Sequence, residues 1–362
     1  MLNSENDVAY TCQLCVLFVN VTQYTFVIWV VFYLYCTINT VKPYVLLVLI
    51  VILNIKYGWL LQMEVVVNSY FCGAGLMDEG LKRAGLTIGQ AFEIDKAACA
   101  TYRANHGANI VETDISTELV LAQDECHGMV FTFPCNKYSA IASIHGQRTG
   151  DELYLHALRH LAVARPEFYL VENVPKMRAF KVVMEAMLSM PDYYIQVFCP
   201  VNTTIWLPQQ RERLFIIATR RHFNFRPPEN TKPLSLEDIL EKNPVVNWPK
   251  ALRNRMTGKY RDRPIISDPS KGDIAPTALA HYGRDRSTRV LADKRYPLGV
   301  RPYSVREYAR LQGLDDNFVF PVTDNQAYKQ IGNGVTVQAA EWFGREIIRY
   351  MNQSKYYLKK TA

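Results

Sequence analysis

From Glu64 to about Thr219, short apolar runs alternate with segments of helical spacing. That alternation constrains the chain more than any other feature. Strands that are apolar on both faces need helices on both sides, which argues for an α/β fold with a mostly parallel, doubly wound sheet. Val65-Val66-Val67 begins the first strand, Leu76 to Ala84 has the period of the first helix, and Ile88 to Phe92 is the second strand. Phe168-Tyr169-Leu170-Val171 is a later strand. In such a sheet the C-terminal ends of the strands open onto one crevice, where ligands bind.

Four strand ends carry chemistry. Phe71-Cys72-Gly73-Ala74-Gly75 follows the first strand, and glycines between a strand and a helix let backbone approach a ligand closely. Taken alone, that spacing fits any tight turn. Glu93-Ile94-Asp95 follows the second strand, where an acid binds ribose hydroxyls. Phe131-Thr132-Phe133-Pro134-Cys135 puts a thiol behind a rigid Pro, and Glu172-Asn173-Val174 puts a carboxyl at the end of another apolar strand. A thiolate and a carboxylic acid facing one pocket are equipped for covalent attack with proton transfer. Plainer readings compete: Glu172 as a helix N-terminal charge, Asp114 as a helix cap, and Arg211 and Arg213 as a solvated face. Cys99, Cys126 and Cys199 read as inert buried thiols. Cys12-Gln13-Leu14-Cys15 has metal-like spacing but no second CxxC and no nearby His, so no metal is expected.

These residues, in this order, resemble the DNA (cytosine-5)-methyltransferases of prokaryotic or phage type, over about Glu64 to about Tyr350. Phe71 to Gly75 is similar to the family's F-x-G-x-G loop, Pro134-Cys135 to its nucleophile motif, and Glu172-Asn173-Val174 to its E-N-V. Gln209-Gln210-Arg211-Glu212-Arg213 matches Q-x-R-x-R, Arg306 to Gly313 resembles the helix behind the recognition region, and Gln330 to Val335 resembles the closing G-N-x-V motif. The resemblance implies a Rossmann-like S-adenosylmethionine-dependent methyltransferase with a small irregular target-recognition domain. It implies cofactor contacts from Phe71, Gly73, Gly75, Glu93, Ile94, Asp114, Ile115, Pro134, Asn333 and Val335. It implies Cys135 as nucleophile on cytosine C6, Glu172 as the proton-holding partner of N3, and Arg213, with Arg211, as holders of a flipped nucleotide. Ser139 and Gln209 are expected at the DNA, with Tyr282, Arg284, Arg286 and Arg289 as groove readers. Two positions depart from the pattern: Asn136 stands where the family has Gln, and Thr336 where it has Pro. A catalytically silent DNA-binding relative and an RNA cytosine-5 methyltransferase stay open as alternatives.

Charge sharpens the domain reading. From Arg220 to Arg301 there are 18 Lys/Arg against 9 Asp/Glu, a net of +9 in a chain of +7. Basic charge concentrated in one segment is the footprint of phosphate contacts. The same segment is rich in Pro and lacks helix or strand period. The expected organisation is an apolar leader at 1–62, a catalytic and cofactor domain at 63–220 and a target-recognition domain at 221–301. Helices at 302–352 then return to the catalytic domain, and 353–362 is a tail. Double-stranded DNA is the expected partner, a cognate restriction endonuclease is a candidate one, and a monomer is expected.

The leader does not fit this scheme. Val8 to Val41 holds no charged residue, and Leu14 to Ile38 is long enough to span a bilayer. Four readings are open: a membrane anchor, a buried extension, a partner-binding segment, or translated sequence upstream of a start at Met63. The last is favoured, because the family's domain begins there. Eight Cys without regular spacing suggest a reducing compartment. The expected location is the cytoplasm of a prokaryotic or virus-infected cell, with membrane association only if the leader is part of the working protein.

Overall fold

The computed structural model describes residues 64–119, 126–134, 153–229 and 233–361, with side chains to 353. Met63–Ala362 forms one compact unit. The leader, Cys135, Asn136 and Ser139 lie outside the described residues.

The central sheet is built from β1 (Val66–Tyr70), β2 (Thr87–Glu93), β3 (Ile110–Glu112), β4 (Gly128–Phe131), β5 (Phe168–Asn173), β6 (Tyr194–Asn202) and, after the two-residue β7 (Gln209–Gln210), β8 (Glu212–Thr219). Its order is β3-β2-β1-β4-β5-β8-β6. All pairs from β3 to β5 are parallel, and β8 is antiparallel to both β5 and β6. The strand order reverses between β1 and β4, which makes their C-terminal mouth the crevice.

Every residue of β4 and β5 is buried. That is why these strands read as unbroken apolar runs: helices cover both faces. Val130 and Leu170 point to one layer, with Leu81, Phe343 and Ile347. Met129, Phe131, Tyr169 and Val171 point to the other, with Leu161, Met184 and Met187. The helices are α1 (Leu76–Arg83), α2 (Lys96–His106), α3 (Leu153–Ala164) and α4 (Lys181–Leu188).

The segment after β8 holds α5 (Leu236–Ile239), α6 (Lys250–Thr257), β9 (Ile265–Ser267), β10 (Ala275–Pro276), β11 (Arg289–Ala292) and β12 (Val300–Arg301). β9, β11 and β12 form a small sheet, and β10 pairs with β7. Strands of two to four residues are too short to leave a period in the sequence, which explains why the segment reads as irregular. Three helices close the chain: α7 (Val305–Arg310), α8 (Asp324–Asn333) and α9 (Val337–Thr361). α9 continues past 352, the expected end of the helices, into the segment expected to be a tail. Among the described residues no helix is long and apolar enough to cross a membrane.

Candidate active site

The strand ends at the reversal point surround a cavity of about 560 Å³. Its first wall is the turn after β1. Phe71 and Gly73 hold φ of 58° and 57°, which aims the Gly73 N–H across to β2, where it donates to Glu93 Oε2 at 2.9 Å. A Cβ on Gly73 would meet nothing within 4 Å, so this glycine is demanded by its backbone and fronts open space. Glu93 Oε1 accepts the N–H groups of Ile94 and Asp95, each at 2.9 Å. The carboxylate therefore knits the ends of β1 and β2 together while facing the cavity.

The second wall is apolar with an acid at its edge. Ile94 is 60% exposed and Ile115 is buried, and both line the cavity. Asp114 Oδ1 accepts the Ser116 N–H at 2.9 Å, and hydrogen bonding from Ser116 holds its carboxyl below the usual range. The cap is real, but it closes a turn rather than starting a helix.

The third wall carries the acid. Glu172, at the end of β5, is 7% exposed and sits 3.0 Å from Arg213 Nε on β8. The two face each other because β5 and β8 are antiparallel neighbours. Burial raises the Glu172 pKa above the ordinary carboxyl value, opposed by the charges of Arg213 and Arg211. Burial also pushes up the thiols of Cys72, Cys99, Cys126 and Cys199, Cys99 to about 11, so these four are protonated at neutral pH.

Several contributors lie outside the residues expected at the site; Asn173 is the middle residue of the E-N-V motif, and the others have no motif of their own. Asn173 Nδ2 donates to the Phe133 carbonyl at 3.1 Å, tying the end of β5 to the chain that leads to Pro134 and Cys135. Thr132 Oγ1 donates to the Phe71 carbonyl at 2.8 Å, joining β4 to the glycine turn. Lys329 on α8 pairs with Asp95 Oδ2 at 2.6 Å across the cavity's edge. Asp95 also caps α2 by accepting from Ala97 and Ala98. Their signal in the sequence is adjacency to a motif residue; their partners are set by the fold.

Pro134, Asn333 and Val335, expected at the cofactor, line the cavity. Other expectations need correction. Gly75 does not line it: a Cβ there would lie 2.5 Å from the His106 ring, so this glycine serves packing. Arg211 is fully buried, and its guanidinium donates to the carbonyls of Ala278, Gly332 and Gly334, so it is a strut rather than a nucleotide holder. Gln209 is likewise buried, donating to the Leu311 carbonyl and accepting from the Ala278 N–H, so its amide is engaged within the protein. Tyr282 is 1% exposed, stacked on Tyr308 at 4.8 Å, and cannot enter a groove. Arg286 and Arg289 are half-buried around it, and only Arg284 of that group is exposed. Thr336, in place of Pro, is buried and hydrogen-bonds Thr203 and Gln312.

Comparisons with known proteins agree with this architecture. A family model described as C-5 cytosine-specific DNA methylase matches residues 66–349. The type II methyltransferase M.NlaX of Neisseria lactamica is 30% identical over 296 residues, covering 75% of this chain and 92% of that protein. The type II methyltransferase M1.ScrFI of Lactococcus lactis subsp. cremoris is 28% identical over 295 residues, covering 73% and 72%. Among solved structures, the Entamoeba histolytica methyltransferase EhMeth shares the fold with a TM-score of 0.65 at 19% identity, covering 80% of this chain and 99% of that one.

Proposed function

The chain belongs to the C-5 cytosine-specific DNA methylase family and is a DNA (cytosine-5)-methyltransferase, and we propose that it methylates a flipped cytosine in a specific double-stranded sequence through a covalent Cys135 adduct. S-adenosylmethionine, when bound, supplies the electrophilic methyl group. The residues fit it. Glu93 suits the ribose hydroxyls, Asp114 the adenine, and Ile94 and Ile115 give apolar walls. Phe71, Gly73, Pro134, Asn333 and Val335 complete a lining around a volume in the range of small-molecule sites.

The remaining chemistry belongs to the chain. Cytosine C5 is a poor nucleophile until the ring is dearomatised. Addition of the Cys135 thiolate to C6 gives C5 enamine character, and later loss of the C5 proton and of the thiolate restores the ring. Glu172, whose hold on a proton burial strengthens, donates that proton's hydrogen bond to N3 and offsets the negative charge that develops there during addition. Arg213 holds that carboxyl in one orientation and, being always charged, suits the cytosine O2 and its phosphate. The base must leave the stack first, which costs a few kcal/mol. Residues 221–301 form the target-recognition region in this reading.

The observation that supports it best is the buried Glu172–Arg213 pair facing the same cavity as Glu93 and Pro134. Cys135→Ser should abolish methyl transfer while leaving cofactor binding, because a hydroxyl is a far weaker nucleophile near neutral pH. DNA carrying 5-fluorocytosine should be trapped covalently by the unaltered protein alone. Normal turnover by the Ser protein would refute the assignment.

A further inference from the structure

With Tyr282 buried and Arg286 and Arg289 half-buried, only Arg284 of that group is exposed, and the densest run of exposed positive charge in the recognition region lies elsewhere. It lies along α6 and the loop to β9. Lys250, Arg253, Lys259, Arg261 and Arg263 are all exposed. Asp262 is the only acid between Lys250 and Arg263, and it stands beside Arg261 at 3.9 Å. Lys250, Arg253, Lys259 and Arg263 have no acidic partner within ion-pair distance among the described residues.

Two of these cations are held rather than loose. The Arg263 guanidinium lies 4.4 Å from the Tyr260 ring centroid, and Arg253 lies 5.3 Å from that of Trp248. An aromatic face fixes a guanidinium's plane and leaves its N–H edge free to fork onto a phosphate. Beneath them α6 is anchored. Leu252 packs with Val290 and Val300, and Trp248 Nε1 donates to the Val300 carbonyl at 2.8 Å.

The ridge is also coupled to the active-site wall. Arg255 donates to Ser287 Oγ and Asp285 Oδ2, just after the 3-10 turn Tyr282–Arg284. That turn lies against α8, where a Cβ on Gly283 would sit 3.0 Å from Asn325. Gly332 of α8 in turn faces the backbone of Leu279 and Ala280, and α8 supplies Lys329 and Asn333 to the cavity.

We propose that this ridge, Lys250 to Arg263, is the phosphate-engaging surface that sets the duplex against the active site, and that Arg253, Lys259 and Arg263 each neutralise a phosphate. The inference rests on the function proposed above. Phosphate contacts position without carrying sequence information, so their removal weakens cognate and unrelated duplexes alike.

The test compares the full chain with its R253Q/K259Q/R263Q variant in binding short cognate and scrambled duplexes from 50 to 300 mM salt, with methyl transfer and melting temperature measured alongside. The slope of log affinity against log salt should flatten by about 0.9 for each phosphate no longer neutralised, roughly 2.7 in all. Melting temperature should stay unchanged, while methyl transfer at limiting DNA should fall in step with the lost affinity. Unchanged affinity and slope in a variant of an active protein overturn the ridge alone. A wild-type protein that binds DNA with the expected slope change but transfers no methyl group keeps the ridge and overturns the enzymatic reading. Absence of DNA binding by the wild type overturns both.

Discussion

Glu172 shows how one residue's environment becomes chemistry. Its carboxyl is buried, its pKa is raised by that burial, and Arg213 holds it from one side. A raised pKa keeps the proton to higher pH than usual, so the protonated form that serves N3 is lost only as pH rises through that raised value. Glu172→Gln should cost roughly 10²–10⁴-fold in transfer rate and erase this alkaline limb; equal rates at every pH would make Glu172 structural. A second buried acid, Asp78, accepts from Ser69 Oγ at 2.7 Å and Tyr102 OH at 2.9 Å. Desolvation lifts its pKa to about 6 from 3.8. Because the folded value is raised, the stabilisation from neutral Asp78 is full below about pH 4 and lost as pH climbs through about 6. Asp78→Asn keeps both hydrogen bonds open and should be more stable than wild type at pH 8 by about 3 kcal/mol, with little difference at pH 3.5. Parallel urea midpoints for the two proteins across that range would refute this. Residues of this kind were legible unevenly. Glu93, Glu172 and Arg213 stand at strand ends, where position announces chemistry. Arg211 stands two residues from Arg213 on an alternating chain, and only the fold reveals that it turns to the carbonyls of Ala278, Gly332 and Gly334.

At the scale of elements, the contact of α1 with α9 decides how the glycine turn is held. Gly80 on α1 would place a Cβ 2.3 Å from the Val337 carbonyl and 2.5 Å from Ala340 Cβ, and Gly344 on α9 would place one 2.6 Å from Ala84 Cβ. The helices touch through small residues, and a methyl at position 80 meets backbone that cannot step aside. Gly80→Ala improves helix propensity by about 1 kcal/mol yet should lower stability by roughly 2 kcal/mol net through overpacking. It should also weaken cofactor affinity, since α1 follows Gly73 directly. A calorimetric melting point equal to wild type would show that the helices do not meet there. Two ion pairs run along α9, Glu341 with Arg345 and Glu346 with Arg349, at i,i+4 and i,i+3 spacings that are local geometry a sequence displays. Nothing local marks Gly80 or Gly344 as partners.

For the whole molecule, two features of the sequence divide the chain: the basic segment and the apolar leader. The first gains its ridge only in three dimensions, since burial of Tyr282 within a tyrosine cluster is invisible to a charge count. The second meets a boundary at Met63, where the compact unit Met63–Ala362 begins. β1 is paired on both sides, with β2 and with β4, so it needs no upstream strand. A chain starting at Met63 is therefore expected to fold, stay soluble and methylate DNA at the full-length rate. Leu14 to Ile38 is apolar and long enough to span a bilayer, so the anchor reading instead expects the longer chain to fractionate with membranes. Mass spectrometry of the natural protein's N-terminal peptide distinguishes the readings. A first residue at Met63 in the soluble fraction supports the internal start, whereas a peptide from before Met63 that fractionates with membranes would establish the leader as an anchor.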